Sequence, residues 1–284
     1  MGEDRGILLK NSPVIKKKMK SLMEPTEWIV ISLGGSLIVP LGGIDTVFIH
    51  EFRGVIHSLV KKGMRFIIVC GGGQTARDYQ DALKSIDPDI TDIRLDWLGI
   101  GATELNAQLV ASVFRDIADQ NVITEPHKKI VTRVPIVFAS GWRPECSTDY
   151  VAVILASNVG ATQIINLSDI DCVYDTDPKG KNGKKAKRIK NISWSDYLRI
   201  IPKKFTAGQK SPFDPVASRE AQKRGLEVAI MNGHNLADLE SYLHPTGSDF
   251  MGTRINGILP LEFHPSTQGF KGKHIFPPIV IRIT

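Results

Sequence analysis

Twice in the first third of this chain an apolar run ends in a block of glycines and gives way to a helical pattern, and no other feature limits the possible folds as strongly. Trp28 to Leu33 reads Trp-Ile-Val-Ile-Ser-Leu and stops at Gly34-Gly35, while Phe66 to Cys70 stops at Gly71-Gly72-Gly73. Short continuous apolar runs of this kind suit strands buried on both faces, and the glycines permit a sharp turn at the strand end. Ile44, Val47, Phe48, Phe52, Val55, Ile56, Leu59 and Val60 recur at helical spacing before Gly63, which predicts an amphipathic helix joining the two strands. Helical patterns at Gln74 to Ile86, Ala102 to Ala118, Asp149 to Val159 and Asp214 to Arg224 then alternate with apolar strands at Pro135 to Phe138, Gln163 to Leu167 and Val228 to Met231. Such alternation implies an α/β fold: a three-layer αβα sandwich with a mostly parallel central sheet.

The chain has 284 residues, enough for one large α/β domain, and its 42% hydrophobic and 23% charged residues match a globular protein rather than a disordered one. No apolar run approaches the roughly 18 residues of a membrane span. Cys70, Cys146 and Cys172 are scattered without a Cys-x-x-Cys pair, which excludes a disulfide framework or zinc scaffold and fits a reducing cytoplasm. The net charge of +6 is local. Lys179, Lys181, Lys184, Lys185, Lys187, Arg188 and Lys190 crowd one stretch without aromatic residues between them, so it reads as a solvated loop rather than a nucleic-acid surface. Residues 1–27 read as a basic extension and 28–255 as the folded domain. Residues 256–284, with Pro260, Pro265, Pro277 and Pro278, read as a tail that is either loose or an added edge strand.

In a parallel sheet ligands bind beyond the carboxyl ends of the strands, where both glycine turns fall. Glycines there let backbone N–H groups reach phosphate oxygens, and a following helix N-terminus favours negative charge. Neither turn matches Gly-x-x-x-x-Gly-Lys-Ser/Thr or Gly-x-Gly-x-x-Gly, so a P-loop or dinucleotide fold is disfavoured. By itself Gly34-Gly35 is equally a tight structural turn.

A set of ordered motifs is more specific: Gly34-Gly35-Ser36, Gly71-Gly72-Gly73 with Arg77, Asp96-x-x-Gly99-Ile100, Ser147-Thr148-Asp149, Ser168-Asp169-Ile170-Asp171-x-Val173-Tyr174-x-x-Asp177-Pro178, and Phe213-Asp214-Pro215. In this order they resemble the amino acid kinase superfamily and, within it, uridylate kinases of the archaeal and small-genome bacterial type, from about Trp28 to Ile255. The resemblance implies ATP and UMP as substrates, Mg²⁺ carried with ATP, a place in pyrimidine biosynthesis, a cytoplasmic homo-oligomer (commonly a hexamer), and neither nucleic acid nor membrane as partner.

It also implies roles position by position. Gly34, Gly35 and Ser36 match the first ATP phosphate loop. Gly72 matches a contact to the UMP phosphate, while Gly73 and Arg77 match ATP positions, with Arg77 on the first turn of its helix; Arg77 is otherwise a salt-bridged surface residue. Asp96 matches the acid that binds the UMP ribose hydroxyls, or else caps a helix. Gly141, Trp142, Arg143, Pro144, Glu145, Cys146, Ser147 and Thr148 match the loop enclosing UMP, with Ser147 to Asp149 also good N-cap residues. Ser168, Tyr174 and Asp177 match the adenine and ribose side of the ATP site, with core packing the other reading of Tyr174. Asp214 matches an acid that organises the active site, although Asp before Pro also starts a helix. No side chain is assigned as a resident metal ligand.

Two departures stand out. Glu145 occupies a position where relatives of this type tend to carry a small residue. Ser32 stands where many superfamily members place a lysine that neutralises the transferring group, so the compensating cation is sought among Arg77, Arg143, the Lys184 to Lys190 cluster and Lys210. These departures keep open a superfamily kinase for a carboxylate, carbamate or isopentenyl phosphate, or a nucleotide-binding regulator without turnover.

Overall fold

The computed structural model describes residues 27–176, 186–202, 211–244 and 250–257. The basic extension up to residue 26, Asp177, most of the lysine-rich stretch, Lys210 and the tail beyond Gly257 lie outside the described residues. Among the described residues the elements follow in the order β1 (Trp28–Leu33), α1 (Gly35–Ile38), α2 (Thr46–Lys61), β2 (Arg65–Cys70), α3 (Gly73–Ile86), α4 (Asp92–Val113), β3 (Ile136–Ala139), α5 (Thr148–Val159), β4 (Gln163–Ser168), β5 (Val173–Tyr174), β6 (Arg188–Ile189), β7 (Asn191–Ser193), α6 (Trp194–Ile200), α7 (Pro215–Arg224), β8 (Glu227–Asn232), α8 (Leu236–Tyr242) and β9 (Gly252–Asn256).

Seven strands form one sheet in the order β3-β2-β1-β4-β8-β9-β7. From β3 to β8 every pairing is parallel, and β9 runs antiparallel to β8. The expected three-layer, mostly parallel architecture is therefore present. The chain runs outward from β1 to β2 and β3, then returns to pair β4 with the other side of β1. That reversal opens a crevice at the carboxyl ends of β1 and β4.

Strand periodicity divides the apolar residues between two cores. Ile31, Leu33, Phe66, Ile68, Cys70, Ile165 and Leu167 face a cluster closed by α2, α4 and α8, with Phe52, Ile56, Phe114 and Leu239 buried in it. Val30, Ile67, Val69, Ile164 and Val228 face the opposite layer, closed by α5, α6 and α7 through Val151, Leu155, Trp194, Tyr197 and Ala217.

Four readings are corrected. The helix expected over Ala102 to Ala118 starts ten residues earlier, at Asp92, and ends at Val113. Ile44 and Val47 belong to no core; both are exposed, and the buried stripe of α2 is Phe48, Ile49, Phe52, Ile56 and Leu59. Arg188 is not part of a solvated loop but of β6, which pairs with β5, and its guanidinium bonds Asp171 at 2.6 Å. Arg77 sits beyond the first turn of α3 rather than on it.

Candidate active site

The periodicity that sorts the cores also places polar side chains. Ser32 and Asn166 are register partners on adjacent parallel strands and point to the α5 side. Ser147 caps α5, its hydroxyl accepting the Tyr150 N–H at 3.2 Å, and this sets Asp149 over both strands. The Asp149 carboxylate accepts from Ser32 Oγ at 2.7 Å and Asn166 Nδ2 at 3.2 Å on one oxygen, and from the Asp214 backbone N–H at 3.0 Å on the other. Burial pushes the Asp149 carboxyl up to about 6, against the Ser32 hydrogen bond and helped by the nearby Asp214 charge. Asp214 caps α7 by accepting the Ala217 N–H at 2.7 Å, and burial raises its pKa as well. The backbone before it is held by Tyr197, whose hydroxyl accepts the Phe213 N–H at 2.8 Å and donates to the Phe213 carbonyl.

The two glycine turns pack directly against each other. Gly34 N–H donates to the Leu167 carbonyl at 2.7 Å and Gly71 N–H to the Leu33 carbonyl at 2.9 Å, so each turn is an extension of its strand. A Cβ on Gly35 would collide with the backbone of Gly71 to Gly73, and one on Gly73 would collide with the backbone of Gly35. Gly73 adds a left-handed φ of +60. Gly35 is therefore required by backbone contact, whatever it binds.

The loop after β3 closes the site from the other side. Gly141 N–H donates to Thr103 Oγ1 at 2.7 Å, and Glu145 N–H donates to Asp96 Oδ2 at 2.8 Å. Glu145 is the one non-glycine residue with positive φ among those described, at 65°. A left-handed backbone favours glycine, so Glu145 is held there against its own backbone preference. Arg143 lies over the Trp142 ring at 4.1 Å, and His127 packs edge-on against that ring at 4.8 Å. Asp96 lies within α4, whose N-cap is Thr91, so the capping alternative for Asp96 falls away.

Three hollows join into one trough. The inner one is walled by Gly72, Gly73, Arg77, Asp96, Gly99, Gly141, Arg143 and Cys146 to Thr148. Arg77 and Thr148 also wall the middle hollow, together with Ser32, Gly34, Ser36, Asp149, Asn166 and Ser168. Asp169, Ile170, Ser211 and Pro212 are shared between the middle hollow and the outer one, which adds Tyr174, Ile200, Ile201 and Pro202. Tyr174 is partly buried there, its hydroxyl donating to Asp171 Oδ2 at 3.1 Å. Arg77 is on the open side of α3, and its Nε donates to Gln74 Oε1 at 2.9 Å.

Most residues singled out from the sequence thus line one trough. Trp142, Pro144, Glu145 and Asp214 stand outside its walls, Gly35 lies behind the turn, Gly73, expected on the ATP side, walls only the inner hollow, and Asp177 is outside the described residues. Sequence reasoning passes over Asp149 as a binding-site group, and Ser32 and Asn166 as its partners. The signal is present: each of the two is a lone polar residue inside a run otherwise suited to a doubly buried strand. Thr103 and Asn106, buried on α4, carry no such signal.

Comparison with known proteins follows the same trough-bearing region. A model of the amino acid kinase family matches residues 27–232. A uridylate kinase of Methanospirillum hungatei JF-1 is 34% identical over 237 residues, covering 82% of this chain and 97% of that protein. One from Methanocorpusculum labreanum is 33% identical over 229 residues, covering 79% and 94%. The crystal structure of uridylate kinase from Archaeoglobus fulgidus superimposes with a TM-score of 0.65 at 25% identity, over 80% of this chain and 99% of that one.

Proposed function

The chain belongs to the amino acid kinase family, and we propose that it acts as a uridylate kinase, moving the γ-phosphoryl group of ATP to UMP to give ADP and UDP. The observation that carries this reading is the continuity of the trough. Arg77 and Thr148 wall both its inner and middle hollows, so a phosphate placed in one meets a phosphate placed in the other at a shared cation. The archaeal relatives that match most of the chain are uridylate kinases, which favours UMP for the inner hollow.

Phosphoryl transfer asks a protein chiefly for alignment and charge neutralisation. In this reading Asp96, which accepts the Glu145 N–H, has further acceptor capacity for the hydroxyls of the UMP ribose. Gly72 and Gly73 offer N–H groups to phosphate, and Arg77 takes up charge that develops between donor and acceptor. Asp149 ties Ser32, Asn166 and the start of α7 into one unit and so fixes the floor of the middle hollow. ATP lies with its phosphates there and its base in the outer hollow beside Tyr174. Transfer is direct and in line, with no covalent enzyme intermediate.

Mg²⁺ suits this donor set, since the carboxylates of Asp149 and Asp169 and the Ser32 and Ser168 hydroxyls wall the middle hollow with hard oxygen atoms. Most of its ligands would come from the nucleotide phosphates, and when bound it supplies neutralisation of their charge. A homo-oligomer, a hexamer by family resemblance, and a place in pyrimidine synthesis belong to the same proposal. Coupled ADP release measured with UMP, CMP, dTMP and small carboxylic acids tests it. UMP is expected to be the fastest acceptor, and faster turnover of an acid would overturn the assignment.

A further inference from the structure

Asn106 carries an amide into the interior, 3% exposed, in the middle of α4 and facing the second glycine turn. Its Nδ2 donates to the Gly71 carbonyl at 2.8 Å and to the Gly72 carbonyl at 3.0 Å, so both of its N–H groups are spent on that turn. In a trans peptide the carbonyl and the next residue's N–H point in opposite directions. Drawing the two carbonyls toward α4 therefore aims the Gly72 and Gly73 N–H groups away from it. Gly72 is right-handed (φ −80, ψ −25) and Gly73 left-handed (φ +60), the alternation that gathers successive N–H groups around an anion. On either side, Gly71 N–H is used by the Leu33 carbonyl and Gln74 N–H by the Val39 carbonyl. Among the described residues neither Gly72 N–H nor Gly73 N–H has a partner, and both residues wall the inner hollow.

Nearly one turn earlier on the same helix, Thr103 holds the opposite wall. Its hydroxyl donates to the Ile100 carbonyl at 2.6 Å and accepts the Gly141 N–H at 2.7 Å. One helix face thereby sets the distance between the glycine turn and the acceptor loop.

We propose that Asn106 is a positioning residue for the transfer: by holding the Gly71 and Gly72 carbonyls it forms the two-N–H cradle that receives the acceptor's phosphate, while Thr103 fixes the facing wall. The inference rests on the reading of the inner hollow as the nucleoside monophosphate site. It separates the phosphate from the nucleoside, because Asn106 touches neither ribose nor base contacts such as Asp96.

The test is calorimetric binding of UMP and of uridine to the full chain and to Asn106→Ala. The intact protein should bind UMP more tightly than uridine; equal binding would refute the assignment of the hollow itself. In Asn106→Ala the affinity for UMP should fall about tenfold or more, with uridine binding unchanged, as expected for loss of charge-assisted contacts to phosphate. If Asn106→Ala does not fold, Asn106→Ser, which retains one donor, is read in the same way and should lose less UMP affinity. Equal loss of UMP and uridine, unchanged UMP affinity, or failure of both variants to fold would overturn the positioning role and make Asn106 a residue of the fold alone.

Discussion

Replacing Asp149 with Asn should change how stability depends on pH more than it changes stability at any one pH. The carboxyl has its ordinary value near 3.8 in the unfolded chain and about 6 in the folded one. Below pH 4 it is protonated in both states. Between 4 and 6 the folded protein still holds the proton that the unfolded chain has released, so rising pH favours unfolding through this group, and the stabilisation present at low pH is lost by the time pH passes 6. At about 1.4 kcal/mol per pH unit the loss is about 3 kcal/mol. The amide of Asp149→Asn has no such proton, and it can accept from only some of the Ser32, Asn166 and Asp214 donors, leaving a buried donor unmet at about 1–3 kcal/mol. Urea unfolding of both proteins from pH 4 to pH 7 reads the effect, because carboxyls remote from Asp149 cancel in the difference and only the neighbouring Asp214 is coupled to it. The stability of the natural protein relative to Asp149→Asn should fall by about 3 kcal/mol across that range, with its midpoint between 4 and 6. A difference that stays flat with pH would refute the argument that burial holds the proton on Asp149.

Asp96→Ala should mainly raise the KM for UMP, since contacts to ribose act in ground and transition states alike, and steady-state kinetics with each substrate varied will show it. Arg77→Ala should lower kcat by about tenfold or more in a protein that melts normally, since the guanidinium serves no core; unchanged kcat returns it to the surface. Glu145→Gly should raise stability by up to about 1 kcal/mol in urea unfolding by relieving the left-handed backbone. Its N–H bond to Asp96 is backbone-made and should persist, leaving the UMP KM nearly unaltered.

The strands are legible in the sequence because β1, β2, β4 and β8 are buried on both faces and so appear as nearly uninterrupted apolar runs. Only the second half of α4 is legible. Its first turns carry Ile93 and Trp97 on the exposed side, with Gly99 and Gly101 following and Leu95 as the buried residue, so no stripe marks the start. The pairing of β5 with β6 is hidden because two-residue strands have no periodicity to read. Within the site the glycines are conspicuous, yet much of their necessity comes from the contact between turns, which only the packed sheet creates. Asp149 reads as a helix cap because its neighbours Ser147 and Thr148 are cap residues, and its partners lie 117 and 17 positions away in sequence. Asn106 is a polar residue in a mostly apolar helix, and nothing local distinguishes it from a surface side chain.

Everything proposed for the trough converges on where the γ-phosphoryl group goes. Incubating the protein with γ-labelled ATP, Mg²⁺ and UMP, and separating the products, follows that group directly. The label should appear in the β-phosphate of UDP in step with ADP formation, and should stay on ATP when UMP is left out. Label released as inorganic phosphate, or retained on ATP in the presence of UMP, would contradict the assignment of the inner hollow to a nucleotide acceptor.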